Sequence, residues 1–294
     1  MNVLSLFDGM SCGQIALERA CIHVDRYYAS EVDKYAIQVT QQNYPNTVQL
    51  GDVTNWREWD IDWRSIDLLI GGSPCQGFSY SGKELNFNDP RSKLFFYYVE
   101  ILNHIRSLNP NIKFMLENVK MRQAFADVIT DKLGVTPLLI DSALLSAQRR
   151  LRYYWVNWDV QQPSDANIKL SSVLQSDYNY NPAKVVGRKL NEFGKRDDSL
   201  KQKNIQYLEV KADNSKMWCL TTVQKDSVLT PLSAGRHAPP YEYRRLTPVE
   251  CERLQTVPDN YTDCVSNTQR YKMIGNGFTV DVIAHILKQL KETI

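Results

Sequence analysis

The chain has 294 residues, 43% of them hydrophobic and 23% charged, with 35 Lys and Arg against 33 Asp and Glu. These proportions exclude a disordered or fibrous chain, and no run of ~18 apolar residues is present to form a transmembrane helix. At roughly 150 residues per domain, the length predicts two domains or one large domain with an insertion.

The start, MNVLSLFDGM, lacks a basic region and reads as a buried strand rather than a signal peptide. The apolar run 3–7 ends at Asp8-Gly9, and residues 14–20 have helical composition. Strand character at 25–32 is followed by a helix at 34–43, then by strands at 47–53 and 66–71. Residues 93–105 carry apolar side chains at helical spacing, and 113–119 reads as another buried strand. This alternation predicts an α/β fold with a doubly wound, mostly parallel sheet and helices on both faces. Such sheets bind ligands beyond the carboxyl ends of their strands. Residues 137–145 and 153–158 predict two more strands, antiparallel at the sheet edge. From 160 to 243 the chain is rich in Asn, Ser, Lys and Tyr with weak periodicity, which predicts a small inserted domain or long loops. A Thr-Pro helix start with Glu250 three residues after Thr247 predicts a capped helix at 245–254. A strongly amphipathic helix at 279–290 closes the chain.

Charge is uneven along this order. Residues 160–243 hold 12 Lys and Arg against 9 Asp and Glu, and the remainder holds 23 against 24. A solvated surface and a polyanion-facing module both account for that excess. Cys12, Cys21, Cys75, Cys219, Cys251 and Cys264 form no C-x-x-C pair and no zinc-finger spacing with His. They predict a reducing compartment, hence a cytoplasmic protein, with no disulfide framework and no metal.

Four segments carry possible chemistry. The first turn, Phe7-Asp8-Gly9-Met10-Ser11-Cys12-Gly13, lies between strand and helix but lacks G-x-G-x-x-G spacing, and Asp8 sits where a pyrophosphate would approach. Glu31, Asp33 and Asp52 follow at later strand ends. A carboxylate at the second strand suits a ribose diol, and the whole acidic set suits a phosphate-free cationic nucleoside such as S-adenosylmethionine better than NAD. The second segment, Gly71-Gly72-Ser73-Pro74-Cys75-Gln76-Gly77-Phe78-Ser79, places Cys75 in a Gly/Ser/Pro loop at a strand end, where a lowered thiol pKa would make it a nucleophile. Residues 77–83 share the spacing of a phosphate-binding loop, but Glu84 stands where Ser or Thr would hold magnesium, which excludes that reading. The third, Leu116-Glu117-Asn118-Val119, offers either a general acid or an edge carboxylate paired with a basic residue. The fourth, Gln148-Arg149-Arg150-Leu151-Arg152-Tyr153-Tyr154, puts two guanidinium groups on one face if it begins a strand. They would pin an oxygen or form a surface basic cluster.

Taken in order, Phe7-Asp8-Gly9 with Gly13, Pro74-Cys75-Gln76, Glu117-Asn118-Val119, the Gln148–Arg152 run, Arg244-Arg245-Leu246-Thr247-Pro248-Val249-Glu250-Cys251 and Gly275-Asn276-Gly277-Phe278 resemble the DNA (cytosine-5)-methyltransferase family. The resemblance spans nearly the whole chain. Phe7-Asp8-Gly9, Ser30-Glu31-Val32 and the short insertion also resemble the catalytic domain of animal de novo DNA methyltransferases. The compact size suits a bacterial or phage enzyme, a setting in which a cognate restriction endonuclease can be a partner.

The resemblance implies a Rossmann-like S-adenosylmethionine-dependent domain at 1–159, a small target-recognition domain at 160–270 and a returning segment at 271–294. It implies Cys75 as nucleophile, Glu117 as the acid at the flipped cytosine, and Arg150 and Arg152 as supports of the base. Cofactor-side positions would be Phe7, Asp8, Gly9, Met10, Ser11, Cys12, Gly13, Glu31, Val32, Asp52, Val53, Pro74, Asn276, Gly277 and Phe278. Residues 76–94 match the family's loop that closes over double-stranded DNA. DNA contacts would be Gln76, Ser79, Ser81, Lys83, Arg91, Thr222, Gln224, Lys225 and Arg236. The chemistry fits these residue types. A thiolate adding to cytosine carbon 6 makes carbon 5 able to attack a methyl sulfonium, leaving S-adenosylhomocysteine, and an acid and an arginine relieve the charge that builds on the ring. Hidden in a duplex, the base must be flipped out.

Two features depart from the family. The usual Gly-x-Gly-Gly after Phe7 is missing, and the arginine that reads CpG guanine has no clear counterpart near Val223 and Gln224, so CpG specificity does not carry over. RNA cytosine methylation, a catalytically silent DNA-binding homologue and a nicotinamide-dependent oxidoreductase are the rival readings. The basic insertion, the intact Cys75, Glu117 and Arg152, and the acidic Asp8 turn weigh against them in that order.

Overall fold

A computed structural model describes residues 1–73, 93–175, 180–186, 207–211, 215–222, 227–232 and 243–290. Its main sheet has seven strands: β1 (Asn2–Leu6), β2 (Arg26–Ser30), β3 (Val48–Gln49), β4 (Leu68–Gly71), β5 (Lys113–Val119), β6 (Leu138–Asp141) and β7 (Leu151–Val156). Their spatial order is β3-β2-β1-β4-β5-β7-β6. β1 to β5 run parallel, and β7 is antiparallel to both of its neighbours. The chain moves outward one way through β2 and β3, then the other way through β4 and β5. The crevice between β1 and β4 is therefore the switch point, where the carboxyl ends of strands leave room for a ligand.

Strand residues alternate between two cores. Val3, Leu68, Ile70, Met115 and Tyr154 face one side with α1 (Cys12–Arg19) and α7 (Val280–Leu290). Leu4, Leu6, Leu69, Phe114, Leu116 and Trp155 face the other, against α3 (Lys93–Leu108) and α4 (Gln123–Leu133). Burial on both faces explains the continuous apolar runs of these strands. α2 (Lys34–Asn43) starts where the Asp33 side chain accepts a hydrogen bond from the Tyr35 amide.

Some predicted strands are shorter. The strand expected at 47–53 is only β3, because Gly51 takes φ +73° and Asp52 caps a 3-10 turn, Val53–Glu58. The strand expected at 137–145 ends at Asp141, which caps the turn Ser142–Leu144 through the Ala143 amide. α4 and α6 (Asn267–Asn276) were not among the predicted elements.

A second sheet is antiparallel in the order β11-β10-β8-β9, from β8 (Tyr180–Val186), β9 (Tyr207–Val210), β10 (Val228–Pro231) and β11 (Arg244–Arg245). Ala183, Val185, Leu208 and Val228 form its small core. α5 (Pro248–Leu254) opens with a capping box: Thr247 Oγ1 accepts from the Glu250 amide, and Glu250 accepts from the Thr247 amide. Residues after α5 join the main domain rather than the small sheet. Tyr261 donates its hydroxyl to the Met10 carbonyl at 2.8 Å, and the Thr256 carbonyl accepts from Arg19.

No helix among the described residues is long and apolar enough to cross a membrane, and no group of three or more His, Cys, Asp or Glu among them is placed to hold a metal ion.

Candidate functional site

The turn after β1 is unusual. Phe7, Gly9 and Ser11 all adopt left-handed backbone, with φ of 58°, 60° and 59°. For Phe7 and Ser11 this costs of order 1–3 kcal/mol each, so surrounding bonds must hold the turn. The buried Asp8 carboxylate supplies several. It accepts from Ser11 Oγ and, at 2.7 Å, from the Tyr27 hydroxyl. Burial pushes Asp8 up to about 6, against the lowering effect of its hydroxyl partners, and the charge of Glu31 adds to the rise. Glu31 grips the turn from β2: one oxygen accepts from the Gly9 amide at 2.7 Å, the other from the Val32 and Asp33 amides at 2.8 Å.

Below this turn the carboxyl ends of β1, β2, β4 and β5 open into a cleft of about 550 Å3. Phe7, Asp8, Gly9, Cys12, Glu31, Val32, Asp52, Val53, Glu117, Arg150, Arg152, Asn276, Gly277 and Phe278 all line it. Val32 is 69% exposed, an apolar wall open for a flat ring. Cys12 is no rival nucleophile, because burial, with the charge of Asp8, pushes its thiol up to about 12. Met10, Ser11 and Gly13 are buried and do not line the cleft. Ser11 is turned into the Asp8 network, and a side chain on Gly13 would collide with Ile70 and Tyr27.

At the far end of the cleft Arg152 Nε lies 2.8 Å from Glu117 Oε1, with both side chains largely buried. The cleft therefore holds an acid–guanidinium pair, not an isolated carboxyl in an apolar hole. Asn118, next on β5, is 1% exposed and donates to Ser73 Oγ at 3.2 Å. It fixes the last described residue before Pro74. Arg150 shares a face with Arg152, as the two-guanidinium reading expects, since both approach Cys219 Sγ, at 3.3 and 3.9 Å. Arg150, however, is spent on main-chain carbonyls: Nη1 donates to Leu220 and Gly275, and Nη2 to Gly275 and Gly277, at 3.1–3.4 Å. Its buried Nε has no hydrogen-bond partner among the described residues.

Pro74, Cys75, Gln76, Ser79, Ser81, Lys83, Arg91, Gln224, Lys225 and Arg236 lie outside the described residues. Thr222 is exposed at the end of segment 215–222. Sequence reasoning missed Lys272, which lines the cleft and pairs with Asp33 at 2.6 Å, and the fully buried Gln255, which donates to the Ile274 and Gly277 carbonyls. Gln255 directly follows the apolar end of α5, and nothing local distinguishes it from a surface glutamine.

Comparison with known proteins adds to this geometry. The profile of the C-5 cytosine-specific DNA methylase family matches residues 1–133 and 141–292. The chain is 30% identical over 325 residues to the Type II methyltransferase M1.ScrFI of Lactococcus lactis subsp. cremoris, covering all of this chain and 78% of that protein. It is 27% identical over 312 residues to the Type II methyltransferase M.HhaI of Haemophilus parahaemolyticus, covering 97% of this chain and 93% of that one. Its fold resembles the Entamoeba histolytica methyltransferase EhMeth, with a TM-score of 0.71, 18% identity and 100% and 98% coverage of the two chains. It also resembles the S. pombe Dnmt2 methyltransferase, with a TM-score of 0.69, 19% identity and 100% and 99% coverage.

Proposed function

Because the chain belongs to the C-5 cytosine-specific DNA methylase family, we propose that it methylates cytosine carbon 5 in double-stranded DNA through a transient bond between Cys75 and carbon 6. The observation that carries this reading is the Glu117–Arg152 pair, 2.8 Å apart in the cleft at the end of β5. Next to it runs β4, from whose end the chain continues into Pro74-Cys75.

The cleft's donor set suits S-adenosylmethionine. Glu31 and Asp52 supply carboxylates, Val32 and Phe7 supply apolar walls, and Lys272, the one lysine among the described lining residues, is paired with Asp33. A pyrophosphate would meet carboxylates here, whereas a phosphate-free cationic nucleoside would not be repelled. Glu31 and Asp52 would hold the ribose side, with Val32 against the base. Bound there, S-adenosylmethionine supplies an electrophilic methyl group.

The chain's own groups do the rest. Cys75 would add as thiolate to carbon 6 of a flipped cytosine. Glu117, aimed by Arg152, would deliver a proton to the ring nitrogen, and Arg152 would stabilise charge on the ring carbonyl oxygen. Carbon 5, made electron-rich, would take the methyl group. Loss of the carbon 5 proton to water, with the ring-nitrogen proton returning to Glu117, would then expel the cysteine as thiolate. Asn118 would act earlier, by fixing Ser73, two residues before Cys75.

The small sheet and its flanking segments would read DNA. We take its end to be near residue 245, since the Leu254 carbonyl at the end of α5 accepts from Ser146 and Gln148, and the residues after it bond to Arg19 and Met10. The Type II relatives extend the reading to the modification half of a restriction–modification pair.

The test is incorporation of labelled methyl groups. Wild-type protein should label plasmid DNA at cytosine carbon 5, and Cys75→Ser should abolish labelling. Label on structured RNA instead of DNA, or full activity of Cys75→Ser, would overturn the proposal.

A further inference from the structure

We propose that Arg150 is a positioning residue that couples the methyl-donor cleft to segment 217–222, so that filling the cleft sets that segment for DNA. This rests on the methyltransferase reading above.

One planar group joins the two sides. Arg150 is 4% exposed. It donates to the Gly275 and Gly277 carbonyls, both on residues that line the cleft, and to Leu220 O and Cys219 Sγ on the segment. The guanidinium fork is rigid, so its donors cannot be re-aimed one at a time as lysine's can. A shift of the 275–277 carbonyls must either break buried hydrogen bonds or carry the segment along.

A second buried link runs beside it. Gln148 accepts from the Leu220 amide at 3.1 Å and donates to Gln255 Oε1 at 2.8 Å. Gln255 donates to the Ile274 and Gly277 carbonyls at 2.9 and 3.1 Å. Both glutamines are fully buried, so water cannot take over a lost partner. Backbone bonds between Ala147, Arg149 and Met217 fix the segment's other end. The two sides also touch directly, since a Cβ on Gly275 would lie 2.5 Å from the Thr221 carbonyl carbon and oxygen.

A static brace would hold these bonds equally well with the cleft filled or empty. Coupling differs in that the cleft's occupancy biases the segment. Hydrogen exchange on the full chain, with and without saturating S-adenosylhomocysteine and without DNA, separates the two. The expected result is at least about five-fold slower exchange at the amides of 219–222, Leu220 included. S-adenosylhomocysteine should also tighten DNA binding by a similar factor. In Arg150→Lys both effects should fall toward one while S-adenosylhomocysteine still binds. If that variant does not fold, Arg150→Gln takes its place, with the same readouts and the same expected loss. Binding of S-adenosylhomocysteine with unchanged exchange at 219–222, or coupling retained in Arg150→Lys, would overturn the coupling and leave the methyltransferase reading standing. Failure of S-adenosylhomocysteine to bind at all would sink both.

Discussion

Tyr27 donates a 2.7 Å hydrogen bond to Asp8 Oδ1 beneath the turn after β1, and Ser11 Oγ donates to the other oxygen of the same carboxylate. Two left-handed non-glycine residues, Phe7 and Ser11, flank this carboxylate, and Asp8 is itself among the residues that line the cleft. The acid that the family resemblance puts on the cofactor side thus lines the cleft and also fastens the turn above it.

This position has a pH signature. Burial moves Asp8 from an ordinary 3.8 to about 6, so between those values the folded chain holds a proton that the unfolded chain has released. Stability from this group is therefore present below pH ~4 and falls as pH rises toward 6, by a total of about 3 kcal/mol. Asp8→Asn does not titrate. Its Tm relative to wild type should rise between pH 4 and pH 7, as read by thermal unfolding at matched ionic strength. A Tm difference that is flat across this range would show that Asp8 keeps an ordinary affinity for protons.

Glu117→Gln keeps shape and loses the transferable proton. Turnover should fall by about 10²–10⁴-fold with DNA affinity little changed. Arg152→Ala leaves Glu117 unaimed, and should cost a comparable factor in kcat. Single-turnover kinetics and DNA titration of both variants check this. A Glu117→Gln enzyme with wild-type kcat would remove the acid role.

Gly275 packs where no side chain fits. Gly275→Ala would press a methyl group onto the Thr221 backbone at 2.5 Å, and backbone cannot swing aside. Such overpacking costs about 1–3 kcal/mol, so denaturant unfolding should show a lower midpoint. An unchanged midpoint would mean the seam between Thr221 and Gly275 opens freely.

Thr247 closes the capping box of α5. Thr247→Ala should cost about 1 kcal/mol, seen as a lower Tm. Thr247→Ser should restore most of it.

Much of the fold was legible because its signals are local. α2 and β5 fall on the residues predicted for them, one set by the Asp33 cap and the other by an apolar run ending in Glu117. α4 had its signals too: Ala126, Ile129 and Leu133 at helical spacing, with Gly134 at φ +76° after the last turn. α6 is different. Its buried face includes Arg270, whose guanidinium pairs with Glu252, so apolar periodicity could not reveal it. The site divides along the same line. Glu117 and Arg152 stand out as residue types at a strand end. The carbonyl partners of Arg150 lie 70 to 127 residues away, and Gln148 and Gln255 are 107 apart. Only the folded chain brings these groups together.

The claim on which everything turns is the bond between Cys75 and the pyrimidine ring. A duplex carrying 5-fluorocytosine at the methylated site cannot release the carbon 5 substituent, so with S-adenosylmethionine it should trap the protein. Mass spectrometry of the digested complex should find the base on Cys75, and Cys75→Ser should form no adduct. Methylation of normal DNA by a protein that the fluorinated duplex never captures at residue 75 would contradict the account.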